Sequence, residues 1–289
     1  MMAVCCMTMR VDTNLDVWIH HHLYTVGFDY IFLRVEGDDG IANLHRRRLG
    51  GPRVLILENE IVENPHIDSV RRQQERQKRF VDQCLRFHAP RLHVRYLLHI
   101  DDDELLVLHK RWPSLNSLLQ SMQSRLPSQP IASIRIQNYE AVLLSPPPSI
   151  SNPQEGDLFF TTTHFKDGAI EDCRGYRNGK SIARVGHTME CTGPHTFVGP
   201  WIKMDSADAI VLHYDSLTFK GWLKKFTHLS QCSSDILQHA LAPFPFYQQS
   251  ILRIQQKESP SLLYDFWKRW ISRANKPIDI SQKYTIPGT

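Results

Sequence analysis

Apolar runs and amphipathic stretches alternate along the first part of the chain. Four apolar runs have the length of a buried strand, namely residues 3–8, 28–35, 54–57 and 96–100. Between the first two, apolar residues recur at helical spacing from a cap at Thr13 or Asn14 to Gly27, which suits a helix end. A second amphipathic helix is expected from about residue 68. Strands that alternate with helices in this way predict parallel βαβ units, and a further strand is expected at residues 131–136.

The last third of the chain has a different pattern. Residues 145–156 are rich in proline and serine and predict a loop. Residues 262–271 carry a broad apolar helical face, which we expect to pack on the rest of the protein. Docking of this face on a membrane surface, or sugar stacking on its tryptophans, is the alternative. We therefore expect an α/β domain over 1–227, in two parts at about 1–144 and 157–227, and a C-terminal helical extension over 228–289.

Composition narrows the class of protein without identifying it. Of 289 residues, 42% are hydrophobic and 10% aromatic, which excludes disordered and collagen-like classes. Basic clusters at 45–48 and 71–79 suit solvated faces better than a phosphate-bearing partner. No apolar run is long enough to span a membrane, and the six cysteines show no C-x-x-C spacing. Free thiols in a reducing compartment, and hence a cytoplasmic location, are expected.

The strongest candidate for a functional site is YLLHIDDDELLVL, where three aspartates and a glutamate interrupt an apolar run. Ligands on parallel α/β sheets bind beyond the carboxyl ends of strands, and Asp101 begins where the fourth strand ends. On an extended segment Asp101 and Asp103 would share a face and Asp102 would point to the other side. Paired carboxylates at a sheet edge suit Mn²⁺ or Mg²⁺, which often complete their shells with substrate phosphates. A solvated acidic strand end is the alternative.

Several blocks in a fixed order carry a resemblance to a known family. They are IDDDEL, LDVWIHHHLYTVGFDYIFL, ERQKRFVDQCL, IQNYEAVL, YRNGKSIARV, GPHTF and VLHYDSLTFKGWLKKF. Together they span about residues 3–227, and the ordered set resembles GT-A glycosyltransferases, in particular those related to families 2 and 92. The resemblance implies a Rossmann-like, mixed and mainly parallel sheet flanked by helices, a nucleotide-sugar donor and a divalent metal. It also implies that the donor half is at about 1–144 and the acceptor half at about 157–227.

The resemblance also implies residue roles. The residues expected near the donor nucleotide are Thr8, Arg10, Glu36, Gln77, Asp101 and Asp102. Lys180 is a further candidate, which could contact the donor phosphates or the acceptor, and a turn residue after Asn178-Gly179 is the alternative. The expected metal ligands are Asp101, Asp103 and His213. The family's Lys/Arg-Asn-Glu after the first strand reads Arg10-Val11-Asp12-Thr13 here, so the contact to the base departs from the family pattern.

An inverting transfer also needs a base within hydrogen-bond reach of the acceptor hydroxyl. The candidates are Glu140, Glu171 and Asp172, and no spacing rule separates them. His195 and Trp201 are expected on the acceptor side. The expected function is transfer from a nucleotide sugar, with a UDP-sugar favoured, to a hydroxyl of a glycan or glycoprotein acceptor.

Two other functions remain open at this stage. A haloacid-dehalogenase-type phosphatase also places D-x-D after an apolar strand, although Leu105 would stand where that motif has Thr or Val. A non-catalytic protein that binds glycans or nucleic acid would explain the basic clusters and the tryptophans, but it leaves the four carboxylates and His213 without a task. If the protein is a glycosyltransferase, we expect no nucleic-acid partner and no transmembrane segment, and we leave peripheral membrane contact open.

Overall fold

A computed structural model describes residues 1–8, 13–36, 51–57, 69–124, 131–144, 162–167, 178–187, 190–231, 244–274 and 277–287. Arg10, Glu171, Asp172, the loop at 145–156 and the basic cluster at 45–48 lie outside the described residues.

The strands outnumber the long helices in the described part of the chain. Along the sequence they are β1 (Met2–Thr8), β2 (Tyr30–Val35), β3 (Val54–Ile56), β4 (Tyr96–His99), β5 (Glu104–Leu108), β6 (Ser133–Ile136), β7 (Asn138–Ala141), β8 (His164–Asp167), β9 (Lys180–Arg184), β10 (Cys191–Gly193), β11 (Thr196–Phe197), β12 (Trp201–Lys203), β13 (Ala209–His213) and β14 (Ile278–Asp279). The longer helices are α1 (Thr13–His20), α2 (Ser69–Gln83), α3 (Leu115–Gln123), α4 (Phe219–Ser230), α5 (Pro245–Gln255) and α6 (Pro260–Ser272). Two shorter helical segments, Cys84–His88 and Ala89–Arg91, follow α2.

The larger sheet has seven strands in the order β12-β6-β9-β4-β1-β2-β3. Neighbouring strands pair in parallel except at β9, which runs antiparallel to both β6 and β4. The carboxyl ends of β1, β2, β4 and β6 and the amino end of β9 therefore meet at one edge. Ligands bind at this edge in sheets of this class.

Both faces of the larger sheet are covered. In β1, Met2, Val4 and Cys6 pack with α1, while the alternate residues Ala3 and Cys5 pack with α2. This alternation follows from the two-residue period of a strand, and it explains why β1 reads as a continuous apolar run. The structure confirms the expected mixed, mainly parallel α/β fold with flanking helices. Cys5, Cys6, Cys84 and Cys191 are buried free thiols, as expected.

Helix α1 continues into a wide turn, His21–Val26, which ends at Gly27 with a positive φ of 88°. The wide turn brings two consecutive histidines onto one residue of β5. His21 Nε2 donates to the Leu106 carbonyl at 2.7 Å, and His22 Nε2 accepts from the Leu106 N–H at 3.3 Å. His22 Nδ1 donates to the Trp18 carbonyl at 2.8 Å, so both ring nitrogens are used in the neutral form.

A second sheet of five strands has the order β14-β8-β7-β13-β5 and is mostly antiparallel. Strand β5 was not predicted, because the apolar residues after the aspartates read as a continuation of β4. The chain instead turns after β4 and enters the second sheet at Glu104. Residues 131–144 supply a strand to each sheet, because β6 belongs to the first and β7 to the second.

Helices α4, α5 and α6 share an apolar cluster built largely from aromatic rings. Trp222, Phe226, Phe246, Phe266 and Trp267 are all buried in it, so the expected packing of the C-terminal apolar face is confirmed. The boundary expected at residue 227 falls inside α4. The end of the chain leaves the helices and supplies β14 to the second sheet. Within the described residues, no helix is long and apolar enough to cross a membrane.

Candidate functional site

The backbone at Asp101–Asp103 makes a tight turn between the two sheets, which we call the acidic turn. Strand β4 ends at His99 and β5 starts at Glu104. The Glu104 N–H donates to the Asp101 carbonyl at 3.2 Å, and the Glu104 side chain accepts from the Asp101 N–H at 2.8 Å. The expectation that Asp101 and Asp103 share one face of an extended segment is therefore wrong, because the backbone reverses there. The three carboxylates point to different neighbours.

Asp101 is held on the first-sheet side by Lys180. The ammonium of Lys180 is fully buried and lies 2.5 Å from Asp101 Oδ2 and 3.0 Å from Glu104 Oε2. Gln77 of α2 donates to the other oxygen of Asp101 at 3.0 Å. Burial alone would raise the pKa of Asp101, but the Lys180 ammonium holds that pKa well below its usual range. Lys180 is thus an internal partner of the turn, although a contact to donor phosphates was expected for it.

A glycine places Lys180 at this point. Gly179 has a positive φ of 66°, and a Cβ added to it would lie 1.9 Å from the Ile136 carbonyl oxygen. Lys180 is the first residue of β9 and pairs in register with Ile136 at the end of β6. The Asn-Gly-Lys sequence is therefore needed both for the close approach and for the direction of the lysine.

Asp102 contacts the last residue of β1, and Glu36 directly follows β2. The Thr8 hydroxyl donates to Asp102 Oδ2 at 2.5 Å, and the Glu36 N–H donates to the Thr8 carbonyl at 2.8 Å. The Glu36 carboxylate lies 3.1 Å from Arg34 Nε and accepts from Arg76 Nε at 3.0 Å. The structure thus brings together Thr8, Gln77, Asp101 and Asp102, with Glu36 at the next strand end.

Two histidines border the same side of the turn. His195 Nδ1 donates to the Gly179 carbonyl at 3.0 Å, and His99 Nδ1 donates to the Pro194 carbonyl at 2.9 Å. Burial and the nearby Lys180 lower the pKa of His99 to about 4 and that of His195 to about 3, so both rings are neutral at pH 7. His195 was predicted and lies in the site. His99 was not predicted, although its position directly before the acidic turn could have signalled it.

The second sheet supplies the other side of the site. The Tyr214 N–H donates to the Asp103 carbonyl at 2.8 Å. His213 Nε2 lies 3.9 Å from Asp103 Oδ1, and its Nδ1 lies 4.0 Å from Glu140 Oε1. Glu140 is only 1% exposed and also faces Lys166 at 3.7 Å. The predicted pair of Asp103 and His213 is brought together, while Glu140 lies buried behind His213.

Asp215, Lys225 and Tyr247 form a hydrogen-bonded group that connects this side of the site to the C-terminal helices. The sequence analysis did not predict this group. Asp215 Oδ1 accepts from Lys225 Nζ of α4 at 2.7 Å, and Asp215 Oδ2 accepts from the Tyr247 hydroxyl of α5 at 2.9 Å. Lys225 Nζ also donates to the Tyr247 oxygen at 2.6 Å. Asp215 follows His213 by two residues, and this closeness to a predicted ligand is the signal that sequence reasoning could have used.

The described residues around the turn carry an excess of negative charge. Six carboxylates face three lysines: Asp101, Asp102, Asp103, Glu104, Glu140 and Asp215 against Lys166, Lys180 and Lys225. Burial, followed by the charges of Asp102 and Asp215, raises the pKa of Asp103 to about 7. No three His, Cys, Asp or Glu side chains are arranged as a ready metal site in the part of the chain that the structure describes. Asp103 and His213 form a pair, and Asp101 is engaged by Lys180.

Trp201 lies apart from this group. It starts β12 and pairs with Ser133, which places it at the level of Leu97, well before the carboxyl end of β4. Strand β12 is three strands away from β4, or about 14 Å at the usual interstrand spacing. The ring is 48% exposed, and the Arg135 guanidinium stacks on it at 3.7 Å. Trp201 was predicted on the acceptor side, and the structure does not bring it next to the acidic turn.

Comparisons with known proteins show distant likenesses of fold. No family model matches the chain, and no curated protein matches it. A solved structure of 4-diphosphocytidyl-2C-methyl-D-erythritol synthase from Anaerococcus prevotii is similar over 63% of this chain and 70% of its own, with 9% identity and a TM-score of 0.28. HddC from Yersinia pseudotuberculosis is similar over 76% and 98%, with 11% identity and a TM-score of 0.36. Mannose-1-phosphate geranyltransferase from Thermus thermophilus is similar over 92% and 67%, with 8% identity and a TM-score of 0.27.

Proposed function

We propose that this protein is a metal-dependent glycosyltransferase related to families 2 and 92. It would transfer a sugar from a nucleotide sugar, with a UDP-sugar favoured, to a hydroxyl of a glycan acceptor with inversion. The observation that carries the proposal is the acidic turn between the sheets, where polar groups from the ends of β1, β4, β9 and β13 converge. The ordered sequence blocks that resemble those families support the finer assignment.

The first-sheet side of the turn suits the nucleoside. Thr8, Gln77, Asp101 and Asp102 form a hydrogen-bonded group at the carboxyl ends of β1 and β4, and Glu36 follows β2. This is the edge at which parallel α/β sheets bind their ligands. Lys180 is proposed to hold the turn in place, because its ammonium is buried and already pairs with two carboxylates.

A divalent cation fits the Asp103 side of the turn. The surplus of carboxylates favours a cation there, and 27% of the Asp103 side chain is exposed to solvent. Asp103 and His213 would hold it, which matches the small number of protein ligands that Mg²⁺ and Mn²⁺ need when phosphates and waters complete the shell. When bound, the cation would supply Lewis-acid stabilisation of the charge on the departing diphosphate.

The acceptor is proposed to bind near His195, beside Gly179 and the turn. The proton of its hydroxyl would pass to a carboxylate within hydrogen-bond reach. Asp172 and Glu171 remain candidates for this base. Glu140 fits less well because it is buried behind His213, where it is suited to orienting that ring.

A thermal-shift panel of UDP, GDP and CDP, each with and without Mn²⁺, tests the proposal. A nucleotide at about 100 times its Kd should add about 2.7 kcal/mol of stability. We expect one nucleotide to stabilise the wild type only with Mn²⁺, and the effect to disappear in Asp103→Asn. Asp265→Asn on the exposed surface of α6 is the matched control and should behave as wild type. Stabilisation by none of the nucleotides would contradict the proposal.

A further inference from the structure

Lys225 lies on the side of the acidic turn opposite Lys180. Its ammonium is bonded to Asp215, and Asp215 directly follows Tyr214, whose N–H donates to the Asp103 carbonyl. The ammonium is therefore hydrogen-bonded to the same chain segment, Tyr214–Asp215, that contacts the turn.

Lys225 differs from Lys180 in its access to solvent. The side chain of Lys225 is 36% exposed, whereas that of Lys180 is fully buried. An ammonium has three N–H donors, and the described contacts of Lys225 with Asp215 and Tyr247 use two of them. These two described contacts leave one N–H donor of Lys225 over, and part of its side chain is open to solvent.

The surrounding segment holds Lys225 in place. Ser216 adopts a positive φ of 59°, its hydroxyl donates to Asp215 at 2.7 Å, and its carbonyl accepts from Trp267 Nε1 at 2.8 Å. Helix α4 begins after Thr218, whose side chain accepts from the Gly221 N–H at 3.0 Å. Three C-terminal helices therefore contact this segment through Lys225, Tyr247 and Trp267. A side chain positioned by so many contacts loses little freedom when it binds a ligand.

We infer that Lys225 binds the β-phosphate of the donor's nucleoside diphosphate, so that the C-terminal helices contribute directly to the donor site. The inference rests on the proposed function. The direction of the site supports it. The proposed nucleoside side lies at Thr8 and Gln77 and the proposed cation side at Asp103, and a diphosphate that continues in this direction reaches the second sheet, where Lys225 is a partly exposed cation among the described residues. An ammonium is a common partner of phosphate oxygens.

The test compares UDP with UMP, both with Mn²⁺, by titration calorimetry on wild type and Lys225→Met. Loss of one charge-assisted contact should weaken UDP binding by about 10- to 100-fold. UMP lacks the β-phosphate, so its Kd should change by less than about threefold. Lys225→Arg should restore most of the UDP affinity. A purely structural role would weaken both nucleotides equally or neither.

Two further variants keep the test interpretable. Lys224→Met removes the neighbouring exposed lysine of the same helix and should leave both affinities at wild-type values. If Lys225→Met fails to fold because Asp215 is left buried without its partner, the double variant Asp215→Asn with Lys225→Met removes both charges together. It should show the same loss of selectivity for UDP over UMP.

The outcomes separate the two proposals. Wild type that binds UDP with Mn²⁺, together with a Lys225→Met variant of unchanged selectivity, would overturn the role of Lys225 and leave the glycosyltransferase proposal standing. Wild type that binds neither nucleotide, in a preparation that also shows no response to GDP or CDP, would overturn both.

Discussion

The acidic turn is flanked by two lysines whose surroundings differ in one respect. Lys180 is sealed inside the first sheet between Asp101 and Glu104, and Lys225 stands on a helix with about a third of its side chain in solvent. Each neutralises at least one carboxylate, so charge alone does not distinguish them. Exposure does: a buried lysine can only hold the turn, while an exposed one can also meet a ligand.

The largest expected effect comes from breaking the buried side. Lys180→Met leaves Asp101 and the fully buried Glu104 without their cation, and removal of one partner from a buried pair costs about 3–5 kcal/mol. Urea denaturation should show this loss of unfolding free energy. Lys203→Met, on the exposed surface of β12, is the control and should change stability by less than about 0.5 kcal/mol. If Lys180→Met is as stable as the control, Lys180 does not hold the turn, and the contrast with Lys225 is wrong.

The second prediction concerns the turn that places Lys180. Gly179→Ala introduces a Cβ at a positive φ and against the Ile136 carbonyl, whereas Gly186→Ala introduces a Cβ at a similar φ with no atom within 4 Å. Both variants bear the backbone strain, of order 1–3 kcal/mol. The first also bears the clash, so its melting temperature should fall further. Equal losses in the two variants would show that the close approach to Ile136 is unimportant.

A third prediction uses pH to test the burial of the two histidines that contact Leu106. Burial lowers the pKa of His21 to about 4 and that of His22 well below its usual value. Because the unfolded chain binds these protons near pH 6.5, stability should fall as the pH drops from about 6.5 toward 4, by up to about 2 kcal/mol per histidine at pH 5. His21→Asn should flatten the pH dependence of the unfolding free energy between pH 7 and 5. The exposed His20→Asn should not.

The smallest expected effect on stability is at Tyr247, beside the partly exposed Lys225. Tyr247→Phe removes one hydroxyl that bonds both Asp215 and Lys225, which should cost about 0.5–1.5 kcal/mol. Tyr24→Phe, with its ring in solvent, is the control. Denaturation curves for the pair measure the difference. A loss as large as that of Lys180→Met would mean that both sides of the turn serve mainly to hold the fold.

The sequence predicted most strands of the first sheet because their residues are buried on both faces, as β1 and β4 illustrate. It did not predict that the chain changes sheets at Glu104, since apolar residues precede and follow the aspartates alike. Side chains far apart in sequence decide the site. Lys180 meets Glu104, and Tyr247 meets Asp215, only through pairing of strands and packing of helices that local periodicity does not encode.

The same limit applies to the histidines. The helical spacing expected up to Gly27 includes His22, but His22 lies beyond the end of α1, in the wide turn His21–Val26. That His21 joins it on one strand residue depends on the wide turn, which shifts the helical spacing. Asp103 was a candidate from the paired carboxylates alone, whereas His213 was found by resemblance to a family. No spacing within β13 relates His213 to the acidic turn.

The two histidines on Leu106 have a consequence for contacts with other molecules. Strand β5 is the last strand of its sheet, and an outer strand with open N–H and carbonyl groups invites another chain to add a strand of its own. Here the outward N–H and carbonyl of Leu106 are taken by His22 and His21, and the carbonyl of Leu108 accepts from the Thr285 N–H at 2.9 Å. These contacts occupy the backbone groups that an added strand would need at Leu106 and Leu108, so they oppose strand addition at this edge.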